Sequence, residues 1–339
     1  MVTTKTAAGI AEQLKALLAA RAPDRGVTDI SVESVEGGYS RTTWVATINW
    51  REGSMTTHIL RSDPITDTGP FRTDRDREWQ LLNALYEHSS LGIAEPQWYD
   101  EKADFFEAKC LVTDFVSGGT LQGLLTAGTD LKTGAKRLMR TLAAIHAVDT
   151  TKLLLDAPAS WDDHIAGVIA FAERLASRAG SSLPVMGDVV GYLRHNIPEP
   201  APLTLVHGDF QPANILLPPG GDPLVIDWEY ARIGDPREDL GYYSIYPVPP
   251  NLYVEDADTV LEEYRKASGL SEAQVEPAAI DYFCVVSNLL YFQQIWEGVA
   301  ALETGQHGVM SALLIGTLSH FNNQFSRIVR DRDHSLSVR

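Results

Sequence analysis

The chain is most constrained by the run His207-Gly208-Asp209-Phe210-Gln211-Pro212-Ala213-Asn214 and by a second block, Val225-Ile226-Asp227-Trp228-Glu229, which puts Asp227 thirteen positions after Asn214. Residues 203–206 are apolar and read as a short strand feeding a loop, and 215–217 as the strand that leaves it. The turn Leu217-Pro218-Pro219-Gly220-Gly221-Asp222-Pro223 is expected to fold the Asp227 strand back over the Asp209–Asn214 loop, so that three oxygen ligands face one cleft. Phosphoryl transfer from a nucleoside triphosphate asks for that set: a carboxylate to take the proton of an attacking hydroxyl, with an amide oxygen and a second carboxylate to hold Mg²⁺ on the phosphates. Mg²⁺ prefers oxygen and usually takes one or two protein ligands beside phosphate and water. Asn214 and Asp227 suit that count and leave Asp209 to work as a base or to orient the hydroxyl. A solvated turn with capping Asp and Asn side chains would not require a second Asp at the end of an apolar strand.

These blocks resemble the aminoglycoside phosphotransferase and choline kinase superfamily over most of the chain. Residues 206–216 look like its catalytic loop and 225–231 like its metal-binding strand end. Residues 233–242 look like its Gly-Asp-Pro…Asp-Leu element. The wording is closest to the branch related to kinase-like domains found with acyl-CoA dehydrogenases. The resemblance implies an α+β, two-lobed, protein-kinase-like fold, with a small antiparallel-sheet lobe at 1–116 and a mainly helical lobe at 117–339. It implies transfer of the γ-phosphate of ATP, with GTP left open as donor, to a hydroxyl of a small molecule, either an aminoglycoside-like antibiotic or a hydroxylated metabolite. By the same resemblance Asp209 is the base, Asn214 and Asp227 are the Mg²⁺ ligands, and His207 and Asp239 brace the loop.

In the first lobe, Ile10, Leu14, Leu17 and Leu18 share one face of an opening helix. Residues 27–35, 42–50 and 55–61 read as strands, the last two joined by the turn Arg51-Glu52-Gly53-Ser54. Glu36-Gly37-Gly38-Tyr39-Ser40-Arg41 corresponds to the family's phosphate-covering hairpin. There Gly37 and Gly38 let backbone approach a ligand and Ser40 adds a hydroxyl. It is not Gly-x-Gly-x-x-Gly, and Arg41 stands where the family often has Asn. Arg61 occupies the place where most kinases carry Lys. It can contact phosphate through two donors, and Glu78, on a helix at 75–85, is its expected partner. Residues 109–116 are expected to be the last strand and the hinge, where the backbone of Asp114, Phe115 and Val116 would meet the nucleotide base.

The second lobe reads as helices at 136–148, 161–178, 185–195, 256–268, 277–301 and 308–329, with a loose tail from 331. His146 is expected in the core. Candidates to line the acceptor site are Glu229, Tyr243, Asn288, Gln293, Trp296 and Glu297. A polycationic acceptor would draw on Asp162, Asp163, Glu229 and Glu297.

The formal charge of −17 argues against nucleic acid and anionic membrane as partners. Cys110 and Cys284, the two cysteines, sit among apolar residues and read as reduced core positions. The N-terminus lacks the apolar run of a signal peptide, and 282–296 is too short and polar to span a bilayer. A cytoplasmic enzyme is expected. Two rivals stand beside it. A protein kinase is disfavoured by the short link from Asp227 to Gly234. An inactive nucleotide-binding regulatory module has Arg61 and the altered glycine hairpin as its support.

Overall fold

The computed structural model describes residues 6–35, 42–63, 74–180, 185–302 and 323. The hairpin with Gly37, Gly38 and Ser40, the helix expected at 308–329 apart from residue 323, and the tail from 331 lie outside the described residues, as do the side chains of Trp296 and Glu297. The chain divides into two compact units, one of Met1–Gly119, Lys152–Leu154 and Leu216–Glu229, the other of Thr120–Thr151, Leu155–Ile215 and Tyr230–Arg339.

The first unit is built on a five-stranded antiparallel sheet in the order β1-β2-β3-β5-β4. Its strands are β1 (Val27–Val35), β2 (Thr42–Trp50), β3 (Met55–Ser62), β4 (Pro96–Asp100) and β5 (Cys110–Asp114). In β2 the side chains of Trp44, Ala46, Ile48 and Trp50 are all buried, and the residues between them are not. That period of two is what a strand with one covered face requires. Helix α1 (Ala7–Arg21) provides the cover. Thr6 caps it by accepting from the Gly9 N–H, and Ile10, Leu14, Leu17 and Leu18 enter the same core as Trp44 and Trp50. Fully burying each such side chain stabilises the fold by about 1.5–3 kcal/mol. The β2–β3 turn closes with the Gly53 N–H on Trp50 O, and Gly53 has φ +88°, a conformation that costs glycine little. Helix α2 (Arg75–His88) is capped by the Asp74 carboxylate, which accepts from the Asp76 and Arg77 N–H groups.

The second unit is mainly helical. After the two-residue strand β6 (Gly119–Thr120) come α3 (Leu121–Thr126) and α4 (Leu131–His146). Helix α4 starts five residues ahead of expectation because Asp130 caps it, accepting from the Thr133 N–H. Helices α5 (Trp161–Ala179) and α6 (Val185–His195) follow, then β7 (Thr204–Val206). The chain continues through β8 (Ile215–Leu217) to β9 (Leu224–Val225), which belongs to the first unit, and then through β10 (Arg232–Gly234) and the helices α7 (Arg237–Ile245), α8 (Leu252–Glu255), α9 (Ala257–Ser268) and α10 (Pro277–Leu302) of the second. Sequence reasoning does not mark α7 as a helix. Arg237, Glu238 and Asp239 open it and are all buried, so its charged residues do not mark a solvent face.

Helix α7 packs against α10, and Gly241 sets the distance between them. A Cβ on Gly241 would lie 2.4 Å from the backbone carbon of Phe283 and 2.6 Å from the nitrogen of Cys284. Only a residue without a side chain fits. Leu175, Met186, Val189, Leu193, Phe283 and Leu289 join α5, α6 and α10 in one core. Cys110 and Cys284 are buried and not joined in a disulfide, as expected. Among the described residues no helix is long and apolar enough to cross a membrane.

Candidate active site

The loop after β7 is held from behind by one buried carboxylate. Strand β7 pairs antiparallel with β10, Val206 opposite Arg232 and Thr204 opposite Gly234. Gly208 follows with φ +81°, and a Cβ there would lie 2.5 Å from Tyr230 O, so no other residue fits this turn. Asp239, in the first turn of α7, accepts from the backbone N–H groups of His207 and Gly208, each at 2.8 Å. Its Oδ2 also lies 3.1 Å from His146 Nε2. A carboxylate only accepts, so His146 carries its proton on Nε2 there. Nδ1 of His146 meets the Tyr264 hydroxyl at 2.7 Å. Burial alone would push the Asp239 carboxyl up, but the bond and charge of His146, together with the neighbouring His207, outweigh it and hold the group below its usual range. His146 is thus a core residue that also helps to fix the carboxylate on which the loop hangs.

The loop in turn fixes Asp209. Gln211 Nε2 donates to Asp209 Oδ1 at 2.8 Å, and the Tyr242 hydroxyl donates to the same oxygen through a short hydrogen bond. Asn214, at the end of a single 3-10 turn (Pro212–Asn214), directs its Nδ2 at Asp209 Oδ2 and at the Asp209 carbonyl, both at 2.9 Å. Both partners of that amide nitrogen are pure acceptors, so the amide can be oriented only one way. Its Oδ1 is then the atom turned to other partners, as a metal ligand would be. Asp209 and Asn214, paired on chemical grounds from the sequence, are in direct contact.

The sequence does not single out Tyr242 for this role. It points instead to the neighbouring Tyr243 as an acceptor-lining residue. Tyr243 is fully buried, and its hydroxyl accepts from the Leu252 N–H at 3.0 Å. An α-helix turns adjacent positions about 100° apart, and α7 brings the Tyr242 hydroxyl to Asp209, while the Tyr243 ring lies edge-on to Phe210 of the same loop. Asn288 is also interior, with Nδ2 donating to Cys284 O at 2.9 Å. Asp163, considered as a pole for a cationic acceptor, helps to cap α5, its N–H donating to Ser160 Oγ.

In the first unit a second group forms around Arg61. Its Nη1 donates to Glu78 Oε1 at 3.0 Å, the pairing expected from the sequence. Its Nη2 donates to Asp227 Oδ1 at 2.5 Å and lies 3.5 Å from Glu229 Oε2. Arg75 backs the group, with Nη1 on Glu78 Oε2 at 2.7 Å and both Nε and Nη2 on Asp63 Oδ1. Burial would lower the Arg61 pKa, but Asp227, Glu78 and Glu229 reverse that and raise it further, so the guanidinium is charged under all conditions. Glu229, a candidate acceptor residue by sequence, belongs to this group. Asp227 sits two residues past β9 with φ +70°, a left-handed conformation that Asp and Asn tolerate better than most residues.

Two guanidinium groups here face the four carboxylates of Asp63, Glu78, Asp227 and Glu229. That excess of negative charge would accept a divalent cation. Among the described residues no three His, Cys, Asp or Glu side chains group as a resident metal centre would need. Asp227 and Asn214 carry the oxygen donors that Mg²⁺ prefers, of which it usually takes one or two beside phosphate and water. At the expected hinge, the N–H groups of Asp114 and Phe115 already donate to Glu95 O at 2.9 Å and to Thr57 O at 3.0 Å. A nucleotide base would have to use the carbonyl groups of this segment or the backbone of Val116.

Residues 31–278 match the model of the APH phosphotransferase enzyme family, and the chain belongs to that family. It is 27% identical over 198 residues to acyl-CoA dehydrogenase family member 11 of Mus musculus, a match covering 56% of this chain and 25% of that protein. It is 24% identical over 324 residues to the Gallus gallus protein of the same name, covering 91% of this chain and 40% of the relative. The chain thus spans less than half the length of these relatives. Among solved structures it is similar to the macrolide 2′-phosphotransferase MphH of Brachybacterium faecium, with TM-score 0.59, 20% identity and coverage of 91% of this chain and 98% of that one. A ternary complex of a thermostable mutant of aminoglycoside phosphotransferase APH(4)-Ia with AMP-PNP and hygromycin B gives TM-score 0.60 at 15% identity, covering 94% and 98%. At these identities the likeness shows a shared protein-kinase-like α+β fold.

Proposed function

We propose that this member of the phosphotransferase enzyme family is a small-molecule kinase that moves the γ-phosphate of ATP to a hydroxyl group. The observation that carries the reading is the Asp209–Asn214 contact, in which the amide hydrogens hold the carboxylate and the amide oxygen is turned away from it. In the reaction the acceptor oxygen forms a bond to the γ-phosphorus while the bond to the bridging oxygen breaks, and the electron pair leaves on the nucleoside diphosphate. Asp209 takes the acceptor's proton. Mg²⁺, held by Asn214 and Asp227, would neutralise charge on the phosphates. Arg61, kept in place by Glu78, would contribute a fixed positive charge to them. Positioning and charge neutralisation supply most of the acceleration in such transfers.

The structural neighbours act on macrolides and aminoglycosides, whereas the longer relatives are named for acyl-CoA chemistry. The acceptor is thus proposed as a hydroxylated small molecule, and a screen should pair antibiotics with hydroxylated acyl thioesters. A cytoplasmic site of action suits an ATP-dependent enzyme with buried thiols.

The test is nucleotide turnover by wild type and by Asp209→Asn, with ATP and with GTP, across that screen. The variant should bind nucleotide as wild type does and lose at least about 10²-fold in turnover. Transfer near the wild-type rate would refute the base assignment. Nucleotide binding without turnover by wild type, across all acceptors, would favour the regulatory reading instead.

A further inference from the structure

We infer that Tyr242 and Tyr291 form a positioning pair for the catalytic base, fixing which oxygen of Asp209 receives the acceptor's proton. The inference rests on Asp209 being that base.

The two rings stack with centroids 5.7 Å apart and planes 15° apart, and their hydroxyls lie 2.7 Å from each other. Tyr242 comes from α7 and Tyr291 from α10, the helices whose approach Gly241 permits. The close contact at Phe283 and Cys284 lies seven to eight residues from Tyr291, which is about two turns of helix. One packing contact therefore sets the register of both phenols.

A carboxylate oxygen has two lone pairs for hydrogen bonding. Oδ1 of Asp209 uses both, one for Gln211 and one for Tyr242. That saturation directs the acceptor hydroxyl to Oδ2, the oxygen that Asn214 holds in place. With Tyr242 O–H committed to Asp209, its oxygen can still accept, and Tyr291 O–H is placed to donate to it. The chain of donors then runs Tyr291 to Tyr242 to Asp209. Burial first, and then the charge of Asp209, hold the Tyr242 phenol well above its ordinary pKa, and burial raises that of Tyr291, so both remain protonated donors. Tyr291 acts on the base through Tyr242. The pair thus serves alignment, and it closes Oδ1 to competing hydroxyls, water included.

The experiment is a double-mutant cycle on the full-length protein with Tyr242→Phe, Tyr291→Phe and both, read as kcat and KM for MgATP with the best acceptor, or with water as acceptor. Asp209→Asn is measured in the same assay, and melting temperatures are taken throughout. Loss of alignment predicts about a tenfold lower kcat for Tyr242→Phe, unchanged KM for MgATP and a smaller loss for Tyr291→Phe. The double variant should match Tyr242→Phe alone, because residues acting in series are not additive. Wild-type kcat in Tyr242→Phe, or losses that multiply in the double variant, would overturn the inference. If Tyr242→Phe fails to fold, Tyr291→Phe still tests the series, and a wild-type kcat there overturns it. Full activity in Asp209→Asn would remove the base itself, which separates failure of the functional reading from failure of this one.

Discussion

Replacing Gly241 by alanine tests whether a single close contact both stabilises the helical unit and aligns its chemistry. The new Cβ would lie 2.4, 2.6 and 2.7 Å from backbone atoms of Phe283 and Cys284. Ordinary carbon contacts begin near ~3.5 Å, so α7 and α10 must separate by about 1 Å. Backbone cannot swing aside as a flexible side chain can, and cores pack too densely to absorb the shift. Overpacking of this kind costs about 3 kcal/mol, and the better helix propensity of alanine returns about 1. The net loss is about 2 kcal/mol, or roughly a 3 °C lower melting temperature for a protein of this size. Gly187 on α6 is the control, because a Cβ there meets nothing within 4 Å. Gly187→Ala should gain about 0.5–1 kcal/mol. Scanning calorimetry on the three proteins reads the stability, and turnover measured alongside reads the alignment of Tyr242. A misplacement of about 1 Å near reacting groups can cost ~10²-fold in rate. If Gly241→Ala behaves like Gly187→Ala, stabilised and fully active, the account of α7–α10 packing is wrong.

Three further outcomes follow from the same geometry. Asp239→Ala strips the buried N–H groups of His207 and Gly208, and His146, of their shared acceptor, and should destabilise by about 3–5 kcal/mol in urea unfolding; a loss under ~1 kcal/mol would contradict the bracing role. Glu238 is buried, which by itself would raise its pKa, but Arg232 and then His164 lower it to about 2 from an ordinary 4.5. Its contribution to stability should be complete above about pH 4.5 and fade as pH falls towards 2, and Glu238→Gln should flatten that limb of the stability profile; an unchanged slope would count against it. Asp227→Ala should abolish the Mg²⁺-dependent part of ATP binding in calorimetry, and equal affinities with and without metal in both proteins would refute its assignment.

Elements with a plain period are legible in the sequence. The alternation in β2, the four apolar residues of α1 and the Arg51–Ser54 turn all stand where the sequence places them, because each depends on neighbours close in the chain. The Arg61–Glu78 contact is also legible, through the resemblance to kinases. What escapes is set by packing between distant segments. Helix α7 carries buried Arg237, Glu238 and Asp239, whose surroundings come from Trp161, His164, Arg232 and the loop after β7, so no apolar period marks it as a helix, although the resemblance does give Asp239 its bracing role. The choice of Tyr242 over Tyr243 depends on how α7 is rotated, which Gly241 and Phe283 decide. Sequence spacing holds no trace of that rotation. The engagement of Asp227 and Glu229 by Arg61 is likewise hidden, since the partners lie 166 residues apart in one case.

The amide at position 214 resolves two opposed electrostatic demands. A carboxylate there would hold a divalent cation more strongly than a neutral oxygen does. It would also stand within hydrogen-bond distance of Asp209, where two like charges repel and would have to share a proton. Asparagine avoids that conflict by donating both hydrogens inward and offering only a dipole outward. On the roles proposed for the two residues, Asn214→Asp, which looks mild in a table of substitutions, therefore belongs with the disruptive changes: it would trade a ready base for a tighter grip on metal.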